Sequence, residues 1–199
     1  MFVNEQEKII ISVPMKCGTE TFAELLDDSW IDIYAKAKFD ELPLSALQKT
    51  LNVCELTDRN LDDYTHYVIV RHPVKWLVSG FRFLQSLKKN PKHFKYHTDF
   101  EKHLQDVLLE RTSDYIAFDS FWSDHCSVMP DQYCNENAIP IKLENLQDFV
   151  TQLGIQKTIP INNKTSGRIP YPQINTNVSK LLHELCKDYC QRFDYNMEI

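Results

Sequence analysis

Lys16, Gly18, Thr19 and Thr21 fall within six residues of one another, in a stretch reading IIISVPMKCGTETF over residues 9–22. The lysine brings a full positive charge and the two threonines bring hydroxyl donors, while the glycine lets the backbone approach a bound oxygen closely. The isoleucines and valine upstream fit a short buried strand, which Pro14 ends. Glu20, Phe22, Leu25 and Leu26 then carry the spacing and early acidic residue of a helix start. A strand, a tight turn with glycine and a helix start make a pocket for an anion, because first-turn N–H groups lack partners inside the helix. The chemistry this implies is phosphate binding. The order is not that of a Walker A loop, in which lysine follows the second of two glycines. Here Lys16 precedes Gly18 by two residues and no glycine comes earlier. An ATP-using small-molecule kinase is weakened by that order but stays open as an alternative.

A second cationic candidate is Arg71, which closes the run HYVIVR at 66–71. A guanidinium at the C-terminal edge of a strand offers forked donors to a phosphate dianion.

The elements that must position these groups read as follows. Residues 66–71 are a strand suited to the middle of a parallel sheet, ended by His72-Pro73. Pro73 to Leu87 is an amphipathic helix with Trp76, Leu77, Phe81 and Leu84 on one side. Trp30 to Phe39 reads as a further strand, and Pro43 starts a short helix. Residues 88–98, KKNPKHFKYHT, read as a solvated basic loop. Helices are expected over Asp99–Arg111, Glu144–Leu153 and Ile174–Tyr195, the last with Val178, Leu181, Leu182 and Leu185 on one face, and a strand over Ala138–Leu143. Residues 113–136 read as irregular and 160–173 as a loop. Strand and helix alternating with short connections argue for an α/β fold with a parallel sheet and right-handed crossovers. No repeat or linker divides the 199 residues, which are expected to form one domain.

The net charge of −6 argues against a nucleic-acid binder held by a broad basic face. No apolar run reaches spanning length, and MFVNEQEK lacks the pattern of a signal peptide. A soluble, cytoplasmic protein with no membrane partner is expected. The six cysteines (17, 54, 126, 134, 186 and 190) include no C-x-x-C pair, so a zinc site is not expected. Most are expected to be reduced, Cys186 and Cys190 through packing four apart on a helix, while Cys126 and Cys134 are able to pair under oxidising conditions.

The loop K-x-G-T after a strand resembles the 5′-phosphosulfate loop of sulfotransferases that use 3′-phosphoadenosine 5′-phosphosulfate (PAPS). YVIVRHPVKWLVSGF resembles their second nucleotide signature, with Arg71, Pro73 and Ser79 in order. NKTSGRIPYPQI resembles the loop that closes over the nucleotide, with Lys164, Gly167 and Arg168. IPIKLENL is similar to the strand-helix entry preceding that loop, and DHCSVMPDQYC resembles a His-x-x-Pro region of Golgi-type members. The motifs lie nearer the carbohydrate or heparan-type enzymes than the cytosolic phenol and steroid ones. Lack of a membrane anchor departs from the former and suggests a bacterial or viral relative, or a trimmed domain.

The resemblance implies a three-layer α/β sandwich with a central parallel sheet, related to P-loop NTPases. It implies in-line transfer of the sulfuryl group from PAPS to an acceptor hydroxyl, leaving adenosine 3′,5′-bisphosphate, with no metal required. The acceptor would be a small molecule or glycan. Lys16 would sit beside the phosphosulfate bridge. Backbone N–H groups of Cys17, Gly18, Thr19, Glu20 and Thr21 would hold the 5′-phosphate with the two threonine hydroxyls. Arg71 and Ser79 would take the 3′-phosphate, with Arg168, Gly167 and Lys164 closing over it. A general base is also wanted. Asp40, Glu41 and His125 are candidates, as is Glu55, and the residues do not choose among them. A non-catalytic nucleotide-binding module on the same scaffold is the other alternative.

Overall fold

Strand β1 (Phe2–Asn4) and strand β2 (Ile9–Ser12) form an antiparallel hairpin in which Phe2 faces Ile11 and Asn4 faces Ile9. Asn4 shapes its turn, because its Oδ1 accepts the N–H groups of Gln6 and Glu7 at 3.0 Å each. Lys8 completes the turn in the left-handed region, at φ 54. The computed structural model describes residues 1–14, 16–32, 63–86, 99–112, 137–159 and 169–197. The short helix expected from Pro43, the basic loop at 88–98, the irregular 113–136 and most of the 160–173 loop lie outside the described residues.

After β2 the chain turns into helix α1 (Thr19–Leu25), which buries Thr21, Phe22 and Leu25. Phe22 stacks on Phe2 with ring centroids 6.1 Å apart, tying the helix to β1. Asp27 then caps a turn by accepting the N–H of Ser29 at 3.0 Å, and strand β3 (Trp30–Asp32) pairs antiparallel with β1. Strand β4 (Thr65–Val70) runs parallel to β2, and strand β5 (Ile139–Lys142) runs parallel to β4. The order is β3-β1-β2-β4-β5. The expected parallel arrangement therefore holds for β2, β4 and β5, with β1 and β3 added antiparallel on one flank, so the sheet is mixed. The fold class is α/β.

β2 and β4 carry the sheet's dry centre, where Ile10, Ile11, Val68, Ile69 and Val70 are fully buried. A polar pair sits among them, with Ser12 Oγ and His66 Nε2 at 2.8 Å, which satisfies two groups that burial would otherwise penalise. β5 leads through a 3₁₀ turn (Leu143–Asn145) into helix α4 (Leu146–Gln152), α2 and α3 being the helices between β4 and β5 described next. Tyr67 of β4 meets Phe149 of α4 edge-on at 4.9 Å. α4 ends in a Schellman turn, Ile155 donating to the Val150 carbonyl and Gly154 to that of Thr151, both at 3.0 Å, with Gly154 at φ 75.

Contacts group the chain into two compact units, and those elements all belong to the first, Met1–Arg71 with Pro130–Asn162. The second, His72–Met129 with Asn163–Ile199, is helical where described. It contains α2 (Pro73–Ser86), α3 (Phe100–Thr112) and α5 (Thr176–Phe193). α2 and α3 both pack on α5. The apolar face expected for α2 is buried, Trp76 and Leu77 completely. Phe81 of α2 meets Phe100 and His103 of α3 at 5.1 and 5.3 Å. Asn175 caps α5, its Oδ1 accepting the Val178 N–H at 2.8 Å. Cys186 and Cys190 are free thiols on the buried face of α5, in keeping with packing as their role. No helix among the described residues is long and apolar enough to cross a membrane.

Candidate functional site

The C-terminal ends of β2, β4 and β5 lie along one edge of the sheet, because the three strands are parallel. Loops leaving that edge are where open α/β sheets bind ligands, since the backbone ends there converge without side-chain cover. The loop after β2 begins with a turn in which the Cys17 N–H donates to the Pro14 carbonyl at 3.0 Å. Lys16 takes the left-handed conformation, φ 64, and Gly18 does so again at φ 95. Glycine suits the second position because that backbone strains any residue with a Cβ. Space is not the constraint at Gly18: a Cβ built there would meet Leu143 Cδ1 at 3.5 Å, ordinary contact. The same distance shows the 3₁₀ turn after β5 lying against the loop.

Arg71 follows the last residue of β4, and its Nη1 donates to the Lys16 carbonyl oxygen at 2.7 Å. The structure thus brings Lys16 and Arg71 together through a direct bond. Cys17, the next residue, is fully buried, and burial pushes its thiol up to about 12. Arg71 pulls it down, Glu144 pushes it up and Lys16 pulls it down, each by less than burial does. The thiol is neutral at physiological pH, so Cys17 is a packing group. Its backbone N–H, expected from the sequence to hold a phosphate, is instead committed to the Pro14 carbonyl inside the turn.

Thr19 opens α1, and its Oγ1 is buried with no hydrogen-bond partner among the described residues. Thr21 is buried on the same helix, while Glu20 points outward and is exposed. Ser79 sits half-buried on α2, in the second unit. One turn further along α2, Arg82 donates from Nε and Nη2 to the Ile169 carbonyl at 3.1 and 2.7 Å. It therefore grips the residue that follows Arg168 in the chain. Asp40, Glu41, Glu55, His125, Lys164, Gly167 and Arg168 lie outside the described residues.

Sequence reading did not reach two neighbours of this loop, Leu143, which lies against Gly18, and Glu144, whose charge is felt at Cys17, nor, within the second unit, the hold of Arg82 on Ile169. The run IPIKLENL marks a strand-helix entry, but that it meets residues 17 and 18 depends on β5 pairing beside β4, which no local pattern encodes.

A family profile described as the sulfotransferase family matches residues 1–197, whereas no curated protein and no solved structure matches the chain. The family's chemistry is sulfuryl transfer. A match of that extent, together with an α/β sheet whose parallel edge carries the lysine loop and its arginine, means that the chain belongs to the sulfotransferase family.

Proposed function

We propose that the protein is a PAPS-dependent O-sulfotransferase acting on an acceptor hydroxyl, with carbohydrates as the acceptor class. The observation that carries the reading is the Thr19 hydroxyl, buried and without a partner among the described residues beside a lysine-bearing loop. A buried orphan donor costs about 1–3 kcal/mol, a cost that a phosphate oxygen at that point would remove. The residues present fit the nucleotide: a cation, a hydroxyl donor in need of an acceptor, and a glycine in the conformation that brings backbone close to a ligand. When bound, PAPS supplies the sulfuryl group and departs as adenosine 3′,5′-bisphosphate.

The roles of the chain's own residues follow from charge and position. Lys16 offsets negative charge developing on the 5′-phosphate side, the electrostatic contribution that in-line transfer most needs. Thr19, Thr21 and the backbone N–H groups of Gly18 and Glu20 hold that phosphate, the Cys17 N–H being taken by the Pro14 carbonyl. Arg71 supplies guanidinium donors, and Ser79 with Lys164, Gly167 and Arg168 are assigned to the 3′-phosphate by resemblance alone. The acceptor proton goes to one of Asp40, Glu41, Glu55 or His125.

Calorimetric titration of the wild-type protein with adenosine 3′,5′-bisphosphate, 5′-AMP and ATP tests this. The bisphosphate is expected to bind most tightly, and radiolabelled PAPS then identifies acceptors. ATP binding as tightly as the bisphosphate would favour the kinase alternative. Bisphosphate binding without transfer to any saccharide or small hydroxyl acceptor would favour a silent module.

A further inference from the structure

We infer that Arg71 is a positioning residue for the Lys16 loop, so that losing it damages binding of the 5′-phosphate as well as of any 3′-phosphate it meets. The inference rests on reading this loop as the 5′-phosphate clamp. Lys16 holds a left-handed backbone, φ 64, a conformation that costs a residue with a Cβ some free energy and that its surroundings help to hold. Two contacts at the loop supply that constraint. The Cys17 N–H is tied back to the Pro14 carbonyl, with the Cys17 side chain fully buried. The Lys16 carbonyl is held by Arg71 Nη1 at 2.7 Å, a short charge-assisted bond.

Arg71 is itself well placed to serve as a fixed point. It follows directly on β4, whose register against β2 is set by four residue pairs, Ile9 with Thr65 through Ser12 with Val68. The strand pairing therefore fixes both ends of the bridge, the start of the loop through β2 and the guanidinium through β4. A guanidinium carries five N–H donors. One goes to the Lys16 carbonyl, and the others are enough to meet a ligand oxygen as well. In this arrangement the same side chain that faces a nucleotide phosphate also sets the backbone from which the Lys16 side chain departs.

The discriminating probe is 5′-AMP, which has no 3′-phosphate for Arg71 to recognise. Its binding is measured by calorimetry on wild type, Arg71→Ala, Arg71→Lys and Lys16→Ala. Peptide-resolved iodoacetamide labelling reads the loop without any ligand, with Cys17 as reporter and buried Cys186 and Cys190 as folding controls. In Arg71→Ala, 5′-AMP is expected to bind about tenfold more weakly, the size of one charge-assisted bond. Cys17 is expected to label faster by a similar factor, with Cys186 and Cys190 unchanged. Arg71→Lys, which keeps one charged donor, recovers part of both. Lys16→Ala weakens 5′-AMP but leaves Cys17 protected.

Equal 5′-AMP binding and equal Cys17 protection in wild type and Arg71→Ala would overturn the inference while leaving the functional reading intact. Weaker 5′-AMP binding with Cys17 still protected would make Arg71 a direct ligand of the 5′-phosphate and would also overturn it. If wild type binds no nucleotide yet Arg71→Ala exposes Cys17 alone, the brace stands and the nucleotide reading falls. If Arg71→Ala exposes all three cysteines, the decision passes to wild-type protein. Slow exchange of the Arg71 guanidinium protons by NMR supports the brace, and exchange as fast as in free arginine overturns it.

Discussion

At Thr19 a hydroxyl is buried with no hydrogen-bond partner among the described residues, and the free protein bears the desolvation cost. Thr19→Val keeps the β-branched shape and removes the orphan group. It is expected to raise the stability of the ligand-free protein by about 1 kcal/mol, and to weaken adenosine 3′,5′-bisphosphate by roughly tenfold. Denaturant unfolding and calorimetry read the two effects, whose opposite signs separate a ligand-binding hydroxyl from a packing one. A loss of stability with unchanged binding would make Thr19 structural. Cys17 gives a prediction in pH. Its thiol is raised by burial from an ordinary value of 9.0 to about 12, so the unfolded chain gives up that proton first as pH rises. The stabilisation is therefore complete below about pH 9 and is lost progressively towards pH 12, a change on the order of a few kcal/mol. Unfolding free energies across this window should fall more steeply for wild type than for Cys17→Ala, and parallel curves would show that the thiol ionises freely in the native state. The types and spacing of Lys16, Gly18 and Thr19 were enough to propose a phosphate loop. The bond from Arg71 to the Lys16 carbonyl was not legible in advance, because it joins residues 55 apart whose meeting depends on how β4 pairs with β2.

Elements differed in legibility according to how many residues carried their pattern. α2, with 14 residues and a continuous apolar face, and α5, with 18, were readable within a residue or two of their ends. β1 was not anticipated, because three residues, FVN, are too few to show a period, and only the hairpin to β2 gives them a role. The mixed character of the sheet follows from that omission, since β1 supplies the antiparallel pairings on both its sides. α5 also offers a test of its cap. Asn175 accepts the Val178 N–H at 2.8 Å, so Asn175→Ala should cost about 1 kcal/mol by chemical denaturation, while Asn175→Ser or Asn175→Asp should recover most of it. On α2, Arg82 closes two hydrogen bonds on the Ile169 carbonyl. Arg82→Ala should accelerate amide hydrogen exchange over residues 169–175 while leaving the interior of α2 protected. Unchanged exchange there would mean that Arg82 does not hold that segment.

For the molecule as a whole, the threading of the chain makes a stronger argument than either unit considered alone. The first unit is begun by residues 1–71 and completed only by 130–162, after the chain has laid down part of the second; the second is in turn completed only by 163–199. β5 is the clearest consequence. It pairs parallel with β4, yet nearly 70 residues separate Val70 from Ile139, and the intervening chain contains α2 and α3. A chain stopped after residue 129 would leave the outer edge of β4 without this partner, an open row of backbone donors and acceptors on a strand whose Val68, Ile69 and Val70 are fully buried in the native protein. Neither unit is a contiguous piece that can be cut free, which favours folding as one cooperative domain over folding in two independent steps. Two tryptophans allow that to be measured, since Trp30 lies on β3 in the first unit and Trp76 on α2 in the second. With Trp122→Phe as background, one variant retains only Trp30 and the other only Trp76. Urea transitions followed by each fluorophore, and by far-ultraviolet circular dichroism, are expected to coincide in midpoint and slope for each variant. Separate midpoints for Trp30 and Trp76 fluorescence, each displaced from the circular dichroism transition of its own variant, would show instead that the two units fold on their own.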